Sequence, residues 1–351
     1  MSGKANGISN AEIAELLARE AEQREGILQR AFKRAARSAW LWPEHATDLL
    51  RTGRSLTEIK GIGPFIARQL RVWLETADLK ISRPPKTRRD FMTMADAQSL
   101  LAKKPVWRSS LRGDLQMHTQ WSDGSGSVAE MAAAGVERGY EYIAITDHSQ
   151  GLKIAGGIDE RALAQQAKEI RRENKSIASN GGKLAVIRSI EMNLNPRGEG
   201  DMAAKALRRL DLVLGSFHSS LRTKEDQTER YLCALRHPHL HILGHPRGRI
   251  YNYRLGLTAD WSRVFAEAAK LNKAIEIDSY PDRQDLNLSL LKLARVEGTR
   301  ISLGTDAHHP WQLGFIELGL AAALKAKILP ERIINFLSLT ALLKWAERVS
   351  R

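Results

Sequence analysis

The sequence predicts an α/β barrel of the TIM type preceded by a small all-α domain, and three observations carry that reading. Seven short β-rich runs alternate with helical segments from about residue 111 onward: GDLQMHT, YIAITDHS, LAVIRSIEMNL, LDLVLGSFHSS, HILGHPRG, KAIEIDSY and RISLGTDAHH. Such alternation argues for parallel strands joined by helical crossovers. Each run ends in polar or ionisable residues, and barrels of this type gather their functional groups at the C-terminal ends of the strands. Before residue 111 the pattern changes, and apolar residues recur at the three- and four-residue spacing of amphipathic helices.

Residues 8–78 predict helices over SNAEIAELLAREAEQ, GILQRAFKRAARSAW, ATDLLRTG and SLTEIKGIGPFIARQLRVWLETA. Ser9 or Asn10 caps the first, because a short polar side chain satisfies free backbone N–H groups. ISRPPKTRRD follows as a Pro-rich basic linker, and a short helical stretch, FMTMADAQSLLAKK, leads into the barrel. The expected boundaries are a helical domain over 1–80, a linker over 81–110 and the barrel over 111–351.

Composition bounds the function. The chain has 351 residues, 43% of them hydrophobic, enough for two domains with a real core. It has no apolar run of membrane-spanning length, and its N-terminal residues are polar and then helical, unlike a secretory signal. Cys233 is the one cysteine, which excludes an intrachain disulfide and a thiolate zinc site and fits a reducing, cytoplasmic setting. The net charge is +14 and the pI about 10. This favours a polyanionic partner, nucleic acid before membrane surface, over a generically basic exterior. Residues 1–110 hold +8 of that charge and the longer remainder +6.

The strand ends carry His118, Asp123, His148, Glu191, His218, His245, Asp306 and His308, which include five of the ten histidines. Asp306 and His308, two apart, point the same way from their strand. Imidazole suits Zn, Mn or Fe, and bridging carboxylates let two cations sit close together. A lone strand-end histidine is more often structural, so the series carries the metal reading. Without cations these groups would be crowded unfavourably. On the face of His118, two residues back, stands Gln116, a poor metal ligand.

DLQMHT with SDG, AITDHS, SIEMN, GSFHSS, LGHPRGR and GTDAHH, in this order, resemble the motifs of the PHP (polymerase and histidinol phosphatase) superfamily over about residues 111–351. The resemblance implies a distorted (β/α)7 barrel that hydrolyses phosphate esters with two to three divalent ions, Mn2+ or Zn2+, with Fe2+ and Mg2+ as further options. Position by position, it implies a first metal on His118, Glu191 and Asp306 with residue 116, where the family carries His. A second would lie on Glu191, His218 and His245, and a third on Asp123, His148 and His308. With only Gln116 departing, the resemblance implies a working site with a weaker first metal, since an amide oxygen can serve a hard cation. His118, Glu191, Asp306 and His308 would be the catalytic centre, where clustered cations lower the pKa of water and supply hydroxide to attack phosphorus. Arg247 and Arg249 would grip a phosphate bidentately, with Arg197 a weaker candidate. Asn193, where relatives often show Asp, either supports a ligand or caps a loop.

SLTEIKGIGPFIARQLRVWLE resembles a helix-hairpin-helix. Gly61, Ile62 and Gly63 would form the hairpin, and Pro64 would begin a helix whose free N–H groups meet a DNA phosphate without reading sequence. Lys60, Arg68 and Arg71 add charge. The order of parts resembles bacterial family X DNA polymerases, yet only about 30 residues separate hairpin and barrel. That leaves no room for a polymerase palm. In related lyase domains a Schiff-base lysine follows the hairpin; here Gln69 occupies the best-matching position, with Lys33 or Lys60 the displaced substitutes. The expected function is a metal-dependent phosphoesterase acting on DNA, a 3′ to 5′ exonuclease or 3′-end processing enzyme. A small-molecule phosphatase of the histidinol-phosphate type and a non-catalytic DNA-binding scaffold are the competing readings.

Overall fold

A reciprocal capping box starts the first helix, α1 (Asn10–Glu22): Ser9 accepts from the Glu12 amide, and Glu12 accepts from the Ser9 amide at 2.8 Å. Asn10 instead ties α1 to the chain ahead, donating to Glu44 O and accepting from Ala46 N. The computed structural model describes residues 7–76 and 79–350. Ala77 and Asp78, the expected end of the fourth helical segment, lie outside the described residues. The chain divides into two units between Lys103 and Lys104.

The first unit is all-α: α1, α2 (Gly26–Ser38), α3 (Ala46–Arg51), α4 (Pro64–Glu75) and α5 (Met94–Ala102). Its core holds Ile13, Leu17, Phe32 and Leu70, all fully buried. Burial of each such side chain is worth about 1.5–3 kcal/mol against exposure. The expected first arm of the hairpin is only a 3-10 turn, Leu56–Glu58, because Ser55 and Glu58 close a capping box over three residues. Gly61 follows with φ +85°, a conformation that favours glycine. Ile62 is buried and anchors the turn, while Gly63 caps α4 and Pro64 opens it. Lys60, Arg68 and Arg71 are exposed.

The segment expected as a basic linker is packed. Arg88 is buried, with ion pairs to Glu15 (3.4 Å) and Glu22 of α1. Thr93 caps α5, which buries Met94, Ala95, Ala97 and Leu101. A buried guanidinium needs carboxylate partners, and this one finds them, so residues 81–103 belong to the helical unit. A short helix, α6 (Val106–Ser110), opens the second unit, where Arg108 pairs with Glu317 at 2.7 Å.

The second unit is an α/β barrel of parallel strands: β1 (Gly113–Asp114), β2 (Tyr142–Ile145), β3 (Ala185–Arg188), β4 (Glu191–Leu194), β5 (Leu214–Phe217), β6 (Ile242–Leu243), β7 (Ala274–Asp278) and β8 (Arg300–Gly304). β3 and β4 are one run, broken at Ser189–Ile190, so the seven expected runs supply all of these strands. A bridge between His148 and Glu191 joins β2 to β4. Met117 pairs with Ala307, and Leu115 N donates to Leu303 O (3.3 Å), closing β1 against β8. The crossovers are α7 (Val128–Glu137), α8 (Glu160–Ser179), α9 (Ala204–Leu207), α10 (Thr228–Arg236), α11 (Trp261–Lys270) and α12 (Leu288–Val296). β2, β5 and β7 are buried along their whole length, as expected for parallel strands covered on both faces.

After β8 come α13 (Ile316–Lys325) and α14 (Leu339–Val349). Leu342, Trp345 and Ala346 of α14 pack on Leu115, Tyr142, Leu214, Ile242 and Ala274, sealing the floor at the N-terminal ends of the strands. Polar bonds fix the seal: Trp345 Nε1 donates to Asn272 O (2.9 Å), and His241 Nε2 lies 3.1 Å from Ala346 O. The opposite, C-terminal ends are therefore the mouth.

Candidate metal centre

Strand ends and the turns after them place the ionisable groups. Asp147 sets the first turn, accepting from Thr119 N (2.8 Å), Thr119 Oγ1 (2.6 Å) and Ser122 Oγ (2.5 Å). The turn carries Asp123. At Gly124 a Cβ would fall 2.5 Å from the His118 carbonyl oxygen, so the chain approaches too closely for a side chain there. Two ligand candidates hold left-handed backbone that non-glycine residues rarely adopt: His245 (φ 21°) and Asp306 (φ 53°). Such strain concentrates at functional sites.

Three groups of ligand atoms converge, each within 4.8 Å of one another: His118, Glu191 and Asp306; His148, Glu191 and His218; and His118, Asp123, His148 and His308. Glu191 is fully buried at their centre. Its Oε2 lies 3.0 Å from His148 Nδ1 and 3.4 Å from His118 Nε2. Its Oε1 lies 2.7 Å from His245 Nε2 and 3.4 Å from His218 Nε2. Asp306 Oδ1 is 3.0 Å from His118 Nε2, and Asp123 Oδ1 is 3.3 Å from His308 Nε2. His148 faces both Glu191 and Asp123, and so stands between the second and third expected ligand sets.

Neighbours aim the rings. His218 Nδ1 is 3.0 Å from Asn193 Oδ1, and His308 Nδ1 is 2.7 Å from Asp306 O. A proton on each Nδ1 leaves Nε2 as a lone-pair donor facing the cluster. Asn193 thus supports a ligand candidate.

The charges are strongly coupled. Burial raises the Glu191 pKa, but His148, His245 and His218 outweigh it and hold the carboxyl well below its ordinary range. Burial likewise opposes ionisation of Asp306, while Arg283 and His118 bring its pKa down. Burial pushes His218 down to about 4. Burial, with Asp306 and Glu191 nearby, raises Glu276 well above the carboxylate range.

The residues fit divalent cations. Both Glu191 oxygens, His148 Nδ1 and His218 Nε2 are buried with no hydrogen bond among the described residues. They nevertheless converge at 3.0–3.4 Å. Buried polar atoms left so are costly, and imidazole nitrogens converging on a shared carboxylate form a cation's donor set.

Gln116 and the two expected phosphate-binding arginines have partners that the sequence did not indicate. Gln116 is buried, and with its amide nitrogen turned to Glu276 it donates to both carboxylate oxygens (2.8 and 2.5 Å). These bonds occupy the amide nitrogen and leave the amide oxygen, the expected ligand atom, outside them, while His118, Glu191 and Asp306 converge as the first cluster. Arg247 donates to Leu255 O (2.7 Å) and Leu257 O (3.4 Å), and buried Arg249 donates to Arg283 O (2.7 Å). Both guanidiniums brace loops through backbone carbonyls. Arg197 is paired with Glu199 at 2.8 Å.

Arg283 is the residue sequence reasoning missed, its Nε 3.2 Å from Asp306 and 3.6 Å from Asp278. Glu276 and Asp278 were missed with it. Their signal was the alternating acids of AIEID at β7, which put two carboxylates on one strand face.

A buried His/Asp/Glu cage at the mouth of a parallel barrel forms a donor set for divalent cations. Residues 114–280 match the family model described as "PHP domain". Over 230 residues the chain is 37% identical to the "DNA polymerase/3'-5' exonuclease PolX" of Bacillus subtilis, covering 65% of this chain and 40% of that protein. It is 28% identical over 218 residues to a "Probable phosphatase" of Caldicellulosiruptor bescii, covering 60% of this chain and 84% of the relative. A solved structure of histidinol phosphate phosphatase from Lactococcus lactis, complexed with zinc, L-histidinol and phosphate, aligns with TM-score 0.43 and 17% identity, covering 62% of this chain and 94% of that one.

Proposed function

We propose that the chain acts on DNA as a 3′ to 5′ exonuclease or 3′-end processing phosphoesterase. The observation that carries this reading is the joining of a PHP barrel to a basic helical unit with an exposed Gly61–Gly63 turn. The Bacillus relative's name points the same way. Bound divalent ions, two or three of the Mn2+ or Zn2+ class, with Fe2+ or Mg2+ as alternatives, supply a hydroxide nucleophile near neutral pH and neutralise charge on the phosphoryl oxygens. Of the chain's own groups, His118, Glu191, Asp306 and His308 are the catalytic set. Asp123, His148, His218 and His245 complete the ligands, and Asn193 orients His218.

In the front unit, Lys60, Arg68 and Arg71 draw the DNA backbone, and the α4 amides beyond Gly63 meet a phosphate. Such contacts are largely independent of sequence and weaken as salt rises. No described helix is long and apolar enough to cross a membrane; a cytoplasmic setting belongs to this proposal.

A second reading, a small-molecule phosphatase, is favoured by the phosphatase relatives but gives the basic unit no task. The test uses metal-free protein on 3′-labelled single-stranded and primed duplex DNA, with Mn2+, Zn2+ or Mg2+ restored and Asp306→Ala alongside. Metal-restored cleavage abolished by Asp306→Ala supports the nuclease. Release of phosphate from small esters alone supports the phosphatase, and DNA binding without turnover under every metal supports a scaffold.

A further inference from the structure

Two loops that leave ligand-bearing strands bring an arginine and an exposed tyrosine together. Arg222 follows His218 by four residues, and Tyr253 follows His245 by eight. Tyr253 is 59% exposed. The Arg222 guanidinium lies 4.7 Å from its centroid, and Arg254 lies 5.9 Å away. Arg222 is itself exposed and makes no ion pair among the described residues.

The tyrosine turn is held firmly. Ile250 and Arg254 exchange backbone hydrogen bonds (3.0 and 3.1 Å), and Arg254 Nε donates to Gly248 O. Tyr251 N donates to Asp282 O at 2.7 Å, and Arg249 Nε donates to Arg283 O. Arg283 is the residue against Asp306. The turn is therefore tied to the loop that reaches the metal ligands.

A rigid turn that keeps an aromatic face in water, with a guanidinium against it, has the chemistry of a stacking platform. Every base offers a π-face, so stacking tolerates any sequence, and the arginine answers a phosphodiester. A small phosphomonoester offers neither a base nor a second phosphate. We propose that Arg222 and Tyr253 form a subsite that stacks an unpaired base beside the scissile phosphate, selecting single-stranded or frayed DNA ends over small esters. This rests on the DNA reading of the barrel.

The test uses the full chain loaded with metal, and two substrates: a 3′-labelled single-stranded oligonucleotide and glycerol 2-phosphate, which has no ring to stack. The readout is the ratio of their kcat/KM values. Tyr253→Ala and Arg222→Ala should each lower that ratio about tenfold, chiefly through the oligonucleotide KM. Tyr253→Phe, which keeps the ring, should restore it. An unchanged ratio in the alanine variants, with wild type degrading the oligonucleotide, overturns the subsite and leaves the nuclease standing. Equal losses on both substrates also overturn it, because they mark a distorted mouth. A wild type that hydrolyses glycerol 2-phosphate but never shortens the oligonucleotide removes the DNA reading and the subsite together.

Discussion

The floor of the barrel should make the protein acid-sensitive through one histidine outside the metal centre. His241 immediately precedes β6 and is buried. Its Nδ1 accepts from Val213 N at 3.0 Å, while Nε2 lies 3.1 Å from Ala346 O. A second proton would have to go on Nδ1, which faces a backbone N–H. Burial accordingly pushes the pKa of His241 down from 6.5 to about 4. The unfolded chain takes up a proton that the folded chain refuses. This contribution to stability is complete above pH 6.5 and is lost as pH falls toward 4. For these two pKa values the loss between pH 7.5 and pH 5 is about 2 kcal/mol, rising to about 3 kcal/mol below pH 4. Urea unfolding of metal-free full-length protein, followed by tryptophan fluorescence, measures it against His241→Gln, whose amide keeps a donor and an acceptor without titrating. The barrel transition of wild type should lose about 2 kcal/mol more than that of the variant between the two pH values. Equal losses would refute the reasoning and show that the floor accommodates an imidazolium.

Four further variants have expected outcomes. Glu191→Gln removes the charge that all the surrounding imidazoles share; bound metal, measured by elemental analysis, should fall, and phosphoesterase turnover should drop by more than about 100-fold. Full metal content in that variant would contradict the shared-ligand geometry. Arg283→Ala leaves the buried Asp306 carboxylate without its guanidinium partner, and thermal or urea melts of the metal-free protein should show a loss of about 3 kcal/mol. No change would mean that Asp306 does not depend on Arg283 for its charge. Gly63 has φ −81° and open space where a Cβ would go, so Gly63→Ala should leave stability intact. It should weaken DNA binding, read by fluorescence anisotropy, about fivefold or more if α4 approaches a phosphate closely. Gly61→Ala, at φ +85°, should instead cost about 1 kcal/mol of stability.

The barrel was legible because each strand run is short, apolar and closed by a histidine or a carboxylate, and those endings are local in the chain. What stayed hidden depends on distant partners. Arg88 looked like linker charge because its partner Glu22 lies 66 residues away. Arg283 sits in PDRQD, an ordinary loop in sequence, and gains meaning only from its contact with Asp306. Arg247 and Arg249 carried the right chemistry beside a ligand, but backbone carbonyls of neighbouring loops claimed both. Gln116 raised the right question from strand alternation alone. Its answer, Glu276, stands on another strand.

The seam where β1 meets β8 has a consequence for how the protein fails. His118 and Asp306, 188 residues apart, come from opposite sides of that seam and form one cluster. Asn335 clasps the same seam below, donating to Gly113 O (2.9 Å) and Leu303 O (2.8 Å). Any opening there, by partial unfolding or by a proteolytic cut that frees the last strand, separates the two ligands before the remaining strands have come apart. Activity thus reports closure of the ring. A partly folded barrel therefore lacks the assembled cluster, because its own topology keeps His118 and Asp306 apart until the ring closes.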